Sequence, residues 1–320
     1  MKRRSFLQKA ALTTALPVCG ALDLNQAIPA QTPPLSSREQ EAIATALGKK
    51  GTYNEAQATY NVALPRNDLK VSVKGEAVPI SFGFGGWVAF KKTLDGKSTV
   101  LMSDTVLLQE EVNPLISATH AAGLEISAIH NHFFYEEPRI FYMHLHGMGD
   151  TAQLAGQFAA AIRSTKLFPA NQPTPSGSGP TATDIFDLAT LDAVVGHKGA
   201  VNGPTYKYTI GRDDLSITAM GADMTAAIGL NSWASFAGQR DKAHIAGDIA
   251  MLTHEVNPVI KALRSNGLEV VALHNHMLGD DPHMIFLHYY GQGPATGLAK
   301  GFRSALDVLG KVKAGGPMKH

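Results

Sequence analysis

The chain says the same thing twice. The block GLEISAIHNHFFYEEPRIFYMHLHG begins at Gly123, and GLEVVALHNHMLGDDPHMIFLHYYG begins at Gly267, so the two align without a gap at an offset of 144 residues. Each holds His-Asn-His, an acidic pair, a proline, a further histidine and a glycine. The likeness runs outward from there. Residues 59–69 (TYNVALPRNDL) match residues 205–215 (TYKYTIGRDDL) at an offset of 146, which Trp87 and Trp233, the only tryptophans, keep. Asp104 and Asp248 return to the offset of 144, as do Glu111-Val112-Asn113-Pro114 and Glu255-Val256-Asn257-Pro258. One two-residue gap therefore reconciles about 120 residues, and a period this long means a duplicated domain or half-domain, not a short solenoid repeat. Whatever fold one copy adopts, the other must adopt as well.

The order of elements within a copy is legible. A helix opens near Ser37 with Ser36 or Ser37 as its cap. Strand-like runs follow at 58–64, 70–73, 79–84, 87–91 and 99–102. Ile249, Leu252, Val256, Ile260 and Leu263 recur at helical spacing, which predicts a helix that Asp248 caps, Pro258 kinks and Gly267 ends. Two histidine-bearing strands come next, then a helix over 151–163 and its counterpart over 295–309. Each unit is therefore expected to be α+β, a mostly antiparallel sheet with helices packed on one face. The boundaries read as repeat one over 38–165, a Pro/Gly/Ser-rich linker over 166–185, repeat two over 186–310 and a tail over 311–320.

Residues 1–30 read as an address. Lys2-Arg3-Arg4-Ser5-Phe6-Leu7 has the form of a twin-arginine export signal, and the apolar stretch 10–18 is too short to span a bilayer. Cleavage after Ala30 would leave a mature protein with no cysteine, hence no disulfide, no thiolate ligand and no cysteine nucleophile. Val18 before Cys19 makes a poor lipobox, which argues against a lipid anchor there. The expected location is periplasmic or otherwise extracytoplasmic, with the twin-arginine machinery as export partner. From residue 31 onward the net charge is −2, which offers nothing to nucleic acid or to an anionic membrane surface. No later apolar run is long enough for a transmembrane helix.

The chemistry lies in the histidines. Side chains two apart on a strand share a face, so His130 and His132 project together and Asn131 points away. On the next strand Tyr142, His144 and His146 share a face. Pairing the two strands makes the imidazoles converge. The second copy offers His274, His276 and His288, with Tyr290 in place of the fourth, so three histidines per copy are common to both. Three imidazoles, with or without a carboxylate, suit a divalent transition metal: zinc first, then copper, manganese, iron or nickel. The expected ligands are His130, His132 and His144 in copy one and His274, His276 and His288 in copy two. Glu136 in the connecting loop and Glu111 on the preceding helix are the candidates for an extra ligand or for a general base on bound water. The tryptophans read as core anchors. No Walker loop, dinucleotide fingerprint or nucleophile elbow occurs.

The doubled unit with Glu-Val-Asn-Pro, Gly-Leu-Glu, His-Asn-His and the later His-Gly resembles the bacterial LppY/LpqO lipoprotein family, a family of unknown function. The resemblance spans residues 38–309 and implies an exported protein without naming a reaction. Two function classes follow. One is an exported metal-binding protein, with metal-dependent hydrolysis the least demanding chemistry. The other is a non-enzymatic envelope module that binds a peptide, glycan or protein, with structural histidines and with Phe133, Phe134, Tyr135, Tyr289 and Tyr290 expected on the solvent side. In either case the ligand is an unidentified small molecule or envelope component.

Overall fold

The computed structural model of the protein describes residues 31–167 and 179–311. The expected export signal, the middle of the linker and all but the first residue of the tail lie outside the described residues. Copy one runs α1 (Ser37–Leu47), β1 (Thr52–Asn54), β2 (Thr59–Pro65), β3 (Val71–Val73), β4 (Glu76–Val78), β5 (Gly85–Lys92), β6 (Thr99–Leu108), α2 (Gln109–Ala121), β7 (Glu125–His130), β8 (Glu136–Glu137), β9 (Ile140–Gly149) and α3 (Thr151–Ile162). A short helix, α4 (Ala182–Ile185), lies at the end of the linker, and α5 (Leu188–Val195) opens copy two. That copy runs β10 (Ala200–Asn202), β11 (Thr205–Gly211), β12 (Thr218–Ala219), β13 (Ala222–Asp223), β14 (Asn231–Gln239), β15 (Lys242–Leu252), α6 (Val256–Ser265), β16 (Glu269–His274), β17 (Met284–Gly293) and α7 (Ala295–Leu306).

The main sheets have the same antiparallel topology, β1-β2-β5-β6-β9-β7 in copy one and β10-β11-β14-β15-β17-β16 in copy two. Period-two alternation sends their residues to two different cores. Val62, Leu64, Val88, Phe90, Met143 and Leu145 pack under the helices of copy one. The residues between them, Ala89, Val100, Met102 and Tyr142, face the other way and join side chains of copy two. The two sheets thus lie face to face with their helices outside, and every central strand is buried on both sides. This is the expected α+β architecture, built twice.

Local chemistry accounts for the element ends. Ser36 accepts from the backbone N–H of Glu39 at 3.3 Å and the Glu39 carboxylate accepts from the Ser36 N–H at 2.8 Å, a reciprocal cap at the start of α1. The repeated Arg-x-Asp and Glu-Val-Asn-Pro motifs turn out to be one device. Arg66 donates to Asp68 at 2.9 Å, to Glu111 at 2.7 Å and to the Val106 carbonyl at 2.7 Å. Arg212 donates to Asp214 at 2.8 Å, to Glu255 at 2.8 Å and to the Ala250 carbonyl at 2.9 Å. Each buried guanidinium ties the end of one strand to the start of the helix five elements later.

Three expectations change. Residues 248–252 are not helix: β15 continues to Leu252, and Asp248 lies within it instead of capping a helix. The helix α6 begins only at Val256, so Pro258 sits in its first turn, where a missing N–H costs nothing and no kink is needed. The run 79–84 contains a single 3-10 turn, Ile80–Phe82, not a strand.

Candidate metal centre

The site begins with one row across each sheet. In copy one, Ala63 pairs with Trp87, Trp87 with Asp104, Asp104 with His144 and His144 with Ala128. In copy two the same row reads Thr209, Trp233, Asp248, His288, Ala272. Residues directly opposite on neighbouring antiparallel strands share a face, so each sheet presents Trp, Asp and His side by side. The two rows face each other across the seam. His130 and His274, the ends of β7 and β16, stack with ring centroids 3.8 Å apart. Trp87 of copy one lies 5.9 Å from His276 of copy two, and Trp233 lies 6.0 Å from His132. Such reciprocal contacts mark a pseudo-twofold axis through the cluster. Gly229 closes one side: its φ of +105° suits glycine alone, and a Cβ there would meet His276 at 2.7 Å.

All six expected histidines come together, in one cluster that spans both copies instead of one set in each. The expectation of one three-histidine set per copy is therefore corrected in its grouping. The ligand atoms of His130, His274 and His288 lie within 4.8 Å of one another, one from copy one and two from copy two. His130 Nε2 and His288 Nε2 are 3.1 Å apart. His144 packs on His276 at 4.1 Å and His132 on His288 at 3.7 Å. Sheet-on-sheet packing set this grouping, and no local spacing encodes it.

Ring orientation is fixed by backbone carbonyls. A carbonyl only accepts, so Nδ1 of His144 donates to Ser103 O at 3.1 Å, Nδ1 of His288 to Gly247 O at 3.1 Å, and Nδ1 of His274 to Asn275 O at 2.8 Å. In these neutral tautomers the Nε2 lone pair is left to point into the cluster, the arrangement that metal-ligating histidines use. Burial, and the imidazoles around it, hold His130, His144 and His288 well below the usual range, and burial lowers His274 to about 4. The rings are therefore neutral at physiological pH.

The sequence reading missed two carboxylates. Asp248 Oδ2 lies 3.8 Å from His274 Nε2 and 3.7 Å from His288 Nε2, and Asp104 Oδ2 lies 3.8 Å from His132 Nε2. These separations are too long for hydrogen bonds and near the ~3.3 Å between two ligands of one tetrahedral ion with bonds of ~2.0–2.1 Å. Burial pushes the Asp248 carboxyl up to about 8. Burial and the nearby Asp248 charge drive Asp104 well above the usual carboxylate range, with Lys207 opposing. Among the described residues, 12 buried side-chain polar atoms have no hydrogen-bond partner, and 8 of them belong to Asp104, Asp248, His130, His132, His144, His274 and His276. Such atoms each cost about 1–3 kcal/mol unless something satisfies them, so the donor set fits a bound cation. The signal was available: Asp104 and Asp248 keep the offset of the histidines.

The two expected glutamates are used elsewhere. Glu111 accepts from Arg66, from Leu108 N at 2.8 Å and from Lys166 N at 2.9 Å. Glu255 repeats this with Arg212, Leu252 N and Gly310 N. Glu136 accepts from Ile140 N at 3.3 Å and closes its loop, as Asp280 does with Met284 N at 2.6 Å. No hydrogen bond or ion pair joins Glu111 or Glu136 to a histidine of the cluster among the described residues. His146 Nε2 donates to the His276 carbonyl at 2.9 Å and is a seam fastener. The tryptophans, expected as core anchors, instead wall a cavity of about 210 Å³ beside the cluster, with Asp104, Asp248, His144 and His276 also in its wall. Of the five aromatics expected at the surface, Phe133, Tyr289 and Tyr290 are buried in the apolar cores, and Phe134 and Tyr135 remain exposed.

No helix among the described residues is long and apolar enough to cross a membrane. No curated protein matches the chain. Solved structures that match include the double ringed trimeric shell protein MSM0271 from the RMM microcompartment, at 12% identity over 68% of this chain and 85% of that one, with a TM-score of 0.18. EtuB from Clostridium kluyveri matches at 9% identity over 71% and 87%, TM-score 0.19, and the trimeric microcompartment shell protein PduB at 12% over 80% and 89%, TM-score 0.19. At that degree of overlap neither the arrangement nor the role of those proteins transfers to this chain. A family profile matches twice, over residues 41–164 and 189–308, and on that ground the chain belongs to the family described as Domain of Unknown Function (DUF1259).

Proposed function

We propose that this is an exported protein that binds a divalent transition metal, zinc foremost, in the seam between its two repeats. The nearest donor set is His130, His274 and His288 with Asp248 beside them. His132, His144, His276 and Asp104 complete the wall. The observation that carries the reading is the convergence of buried imidazole nitrogens and carboxylate oxygens, most of them without a hydrogen-bond partner, where carbonyls already set the tautomers of His144, His274 and His288. Export rests on the twin-arginine pattern of residues 1–30 and on the resemblance to the LppY/LpqO lipoproteins.

Within the metal-binding reading, the chemistry is hydrolysis. When bound, such an ion supplies a Lewis acid. The chain's own carboxylates, Asp104 and Asp248, are the groups placed to take or hold a proton, with Trp87 and Trp233 in the same cavity wall. This moves the base from Glu111 and Glu136, which hold backbone and arginine donors, to the aspartates of the two rows. Elemental analysis of protein purified without added metal is the test. A content near one equivalent supports the reading; less than about a tenth of an equivalent, with no uptake from ~10 µM zinc, sinks it.

A further inference from the structure

Two pairs in the wall of the cavity beside the histidines are related by the pseudo-twofold axis: Trp87 answers Trp233 and Asp104 answers Asp248. One pair breaks the symmetry. Asn61 of β2 is matched by Lys207 of β11, so a single ammonium enters the wall, on the side where copy two also supplies Thr209, Gly229 and Asn231. Asn61 is committed, donating to the Ala227 carbonyl at 3.0 Å. Lys207 is not. Its Nζ lies 4.5 Å from the centroid of the Trp233 ring, and no hydrogen bond or ion pair holds it among the described residues. The buried cations among the described residues are paired: Arg66 with Asp68 and Glu111, Arg212 with Asp214 and Glu255, Lys91 with Asp223. An ammonium in a cavity wall that feels Asp104 across the space but makes no direct ion pair has room for an anion.

We propose that this cavity binds a small anion carrying a carboxylate or a phosphate, its charge held by Lys207 and its body lying between Trp87 and Trp233 next to the histidine centre. A volume of about 210 Å³ corresponds to some seven waters at ~30 Å³ each, so the occupant is a small acid and not a polymer segment. The proposal rests on the metal reading, because Asp104 and Asp248 on the same wall would repel an anion unless a cation lies between them. It names the substrate class of that centre: an acid whose charged end meets Lys207 while the rest reaches the metal.

Both tryptophans of the chain line the cavity, so intrinsic fluorescence reports its occupancy directly. Zinc-treated protein is titrated with succinate and, separately, with inorganic phosphate, and zinc content is measured on the same samples. The expected result is a saturable change with one or both probes, weakened at least ~10-fold in Lys207→Met and kept within ~3-fold in Lys207→Arg, with zinc content unchanged in both variants. Succinate alone identifies a carboxylate ligand and phosphate alone a phosphate ligand. Protein that holds zinc but responds to neither probe up to ~10 mM overturns this proposal and leaves the metal reading standing. Equal affinity in Lys207→Met also overturns it. Anion binding through Lys207 in protein that holds no zinc overturns the proposal in its metal-linked form, and the absence of zinc overturns the metal reading with it.

Discussion

The two repeats keep some features in atomic detail and let others go. Both retain the arginine that ties strand to helix, with partners at nearly the same distances, and both retain the Trp–Asp–His row. They part at the edges of the seam. His146 of copy one reaches the His276 carbonyl, and its counterpart Tyr290 instead bonds His244 at 2.8 Å. Tyr142, beneath His132, is matched by Phe286, and Asn61 by Lys207. His274 has a carbonyl partner for Nδ1, whereas Nδ1 of His130 has none. The difference separates two demands. Features that let each copy fold must be present twice, since each sheet needs its own strand-to-helix tie. Features of the shared centre need be present only once, since one cavity serves both copies.

The largest effect should come from breaking the tie. Glu111→Ala and Glu255→Ala each leave a buried guanidinium with a lost partner, and each is expected to cost about 3–5 kcal/mol in urea denaturation. The comparison sharpens if the two costs agree and breaks if one copy tolerates the loss.

Next is metal uptake. A composite centre predicts that His130→Ala or His274→Ala alone weakens zinc binding by ~100-fold or more, about 2.8 kcal/mol at 1.4 per tenfold. Two independent sites would instead leave half the stoichiometry in each variant. Titration with a competing chelator tells these apart.

The acid–base balance of the metal-free protein gives a third test. Burial raises the Asp248 carboxyl to about 8 from 3.8, so the folded protein holds a proton that the unfolded chain releases. That contribution is complete below pH ~4 and is lost as pH rises toward ~8. The lowered histidines act oppositely: their contribution is present above pH ~6.5 and lost as pH falls below it. Asp248→Asn should therefore stabilise metal-free protein at pH 8 by about 1–3 kcal/mol, do little at pH 4, and weaken zinc uptake. A thermal melt that shows no pH-dependent gain at pH 8 counts against the buried, metal-seeking carboxylate.

The smallest effect is expected at the divergent edge. His146→Tyr installs the copy-two residue and removes one bond to the His276 carbonyl, at a cost of about 1 kcal/mol with zinc content unchanged. A drop in zinc content would place His146 in the centre and not at its rim.

Much of this was legible from the residues. The duplication, the sheet-plus-helix unit and the six histidines on strand ends follow from offsets and from period-two alternation. Asp248 was misread because Ile249, Leu252, Val256, Ile260 and Leu263 match a helical period even though the first two belong to β15, and a short apolar run does not separate strand from helix. Phe133, Tyr289 and Tyr290 were misread because alternation separates two faces but does not say that both are covered.

What the sequence determined by itself is local and repeated: which residues share a face, where helices start, and that the pattern occurs twice. Only the tertiary structure decided that His130 meets His274 and His288 instead of His144's own set, and that the glutamates serve the arginines and loop backbone while the aspartates face the histidines. The physical reason is range. Strand periodicity acts over two residues, but the partner of each inner face lies some 144 residues away and is chosen by the packing of one sheet on the other.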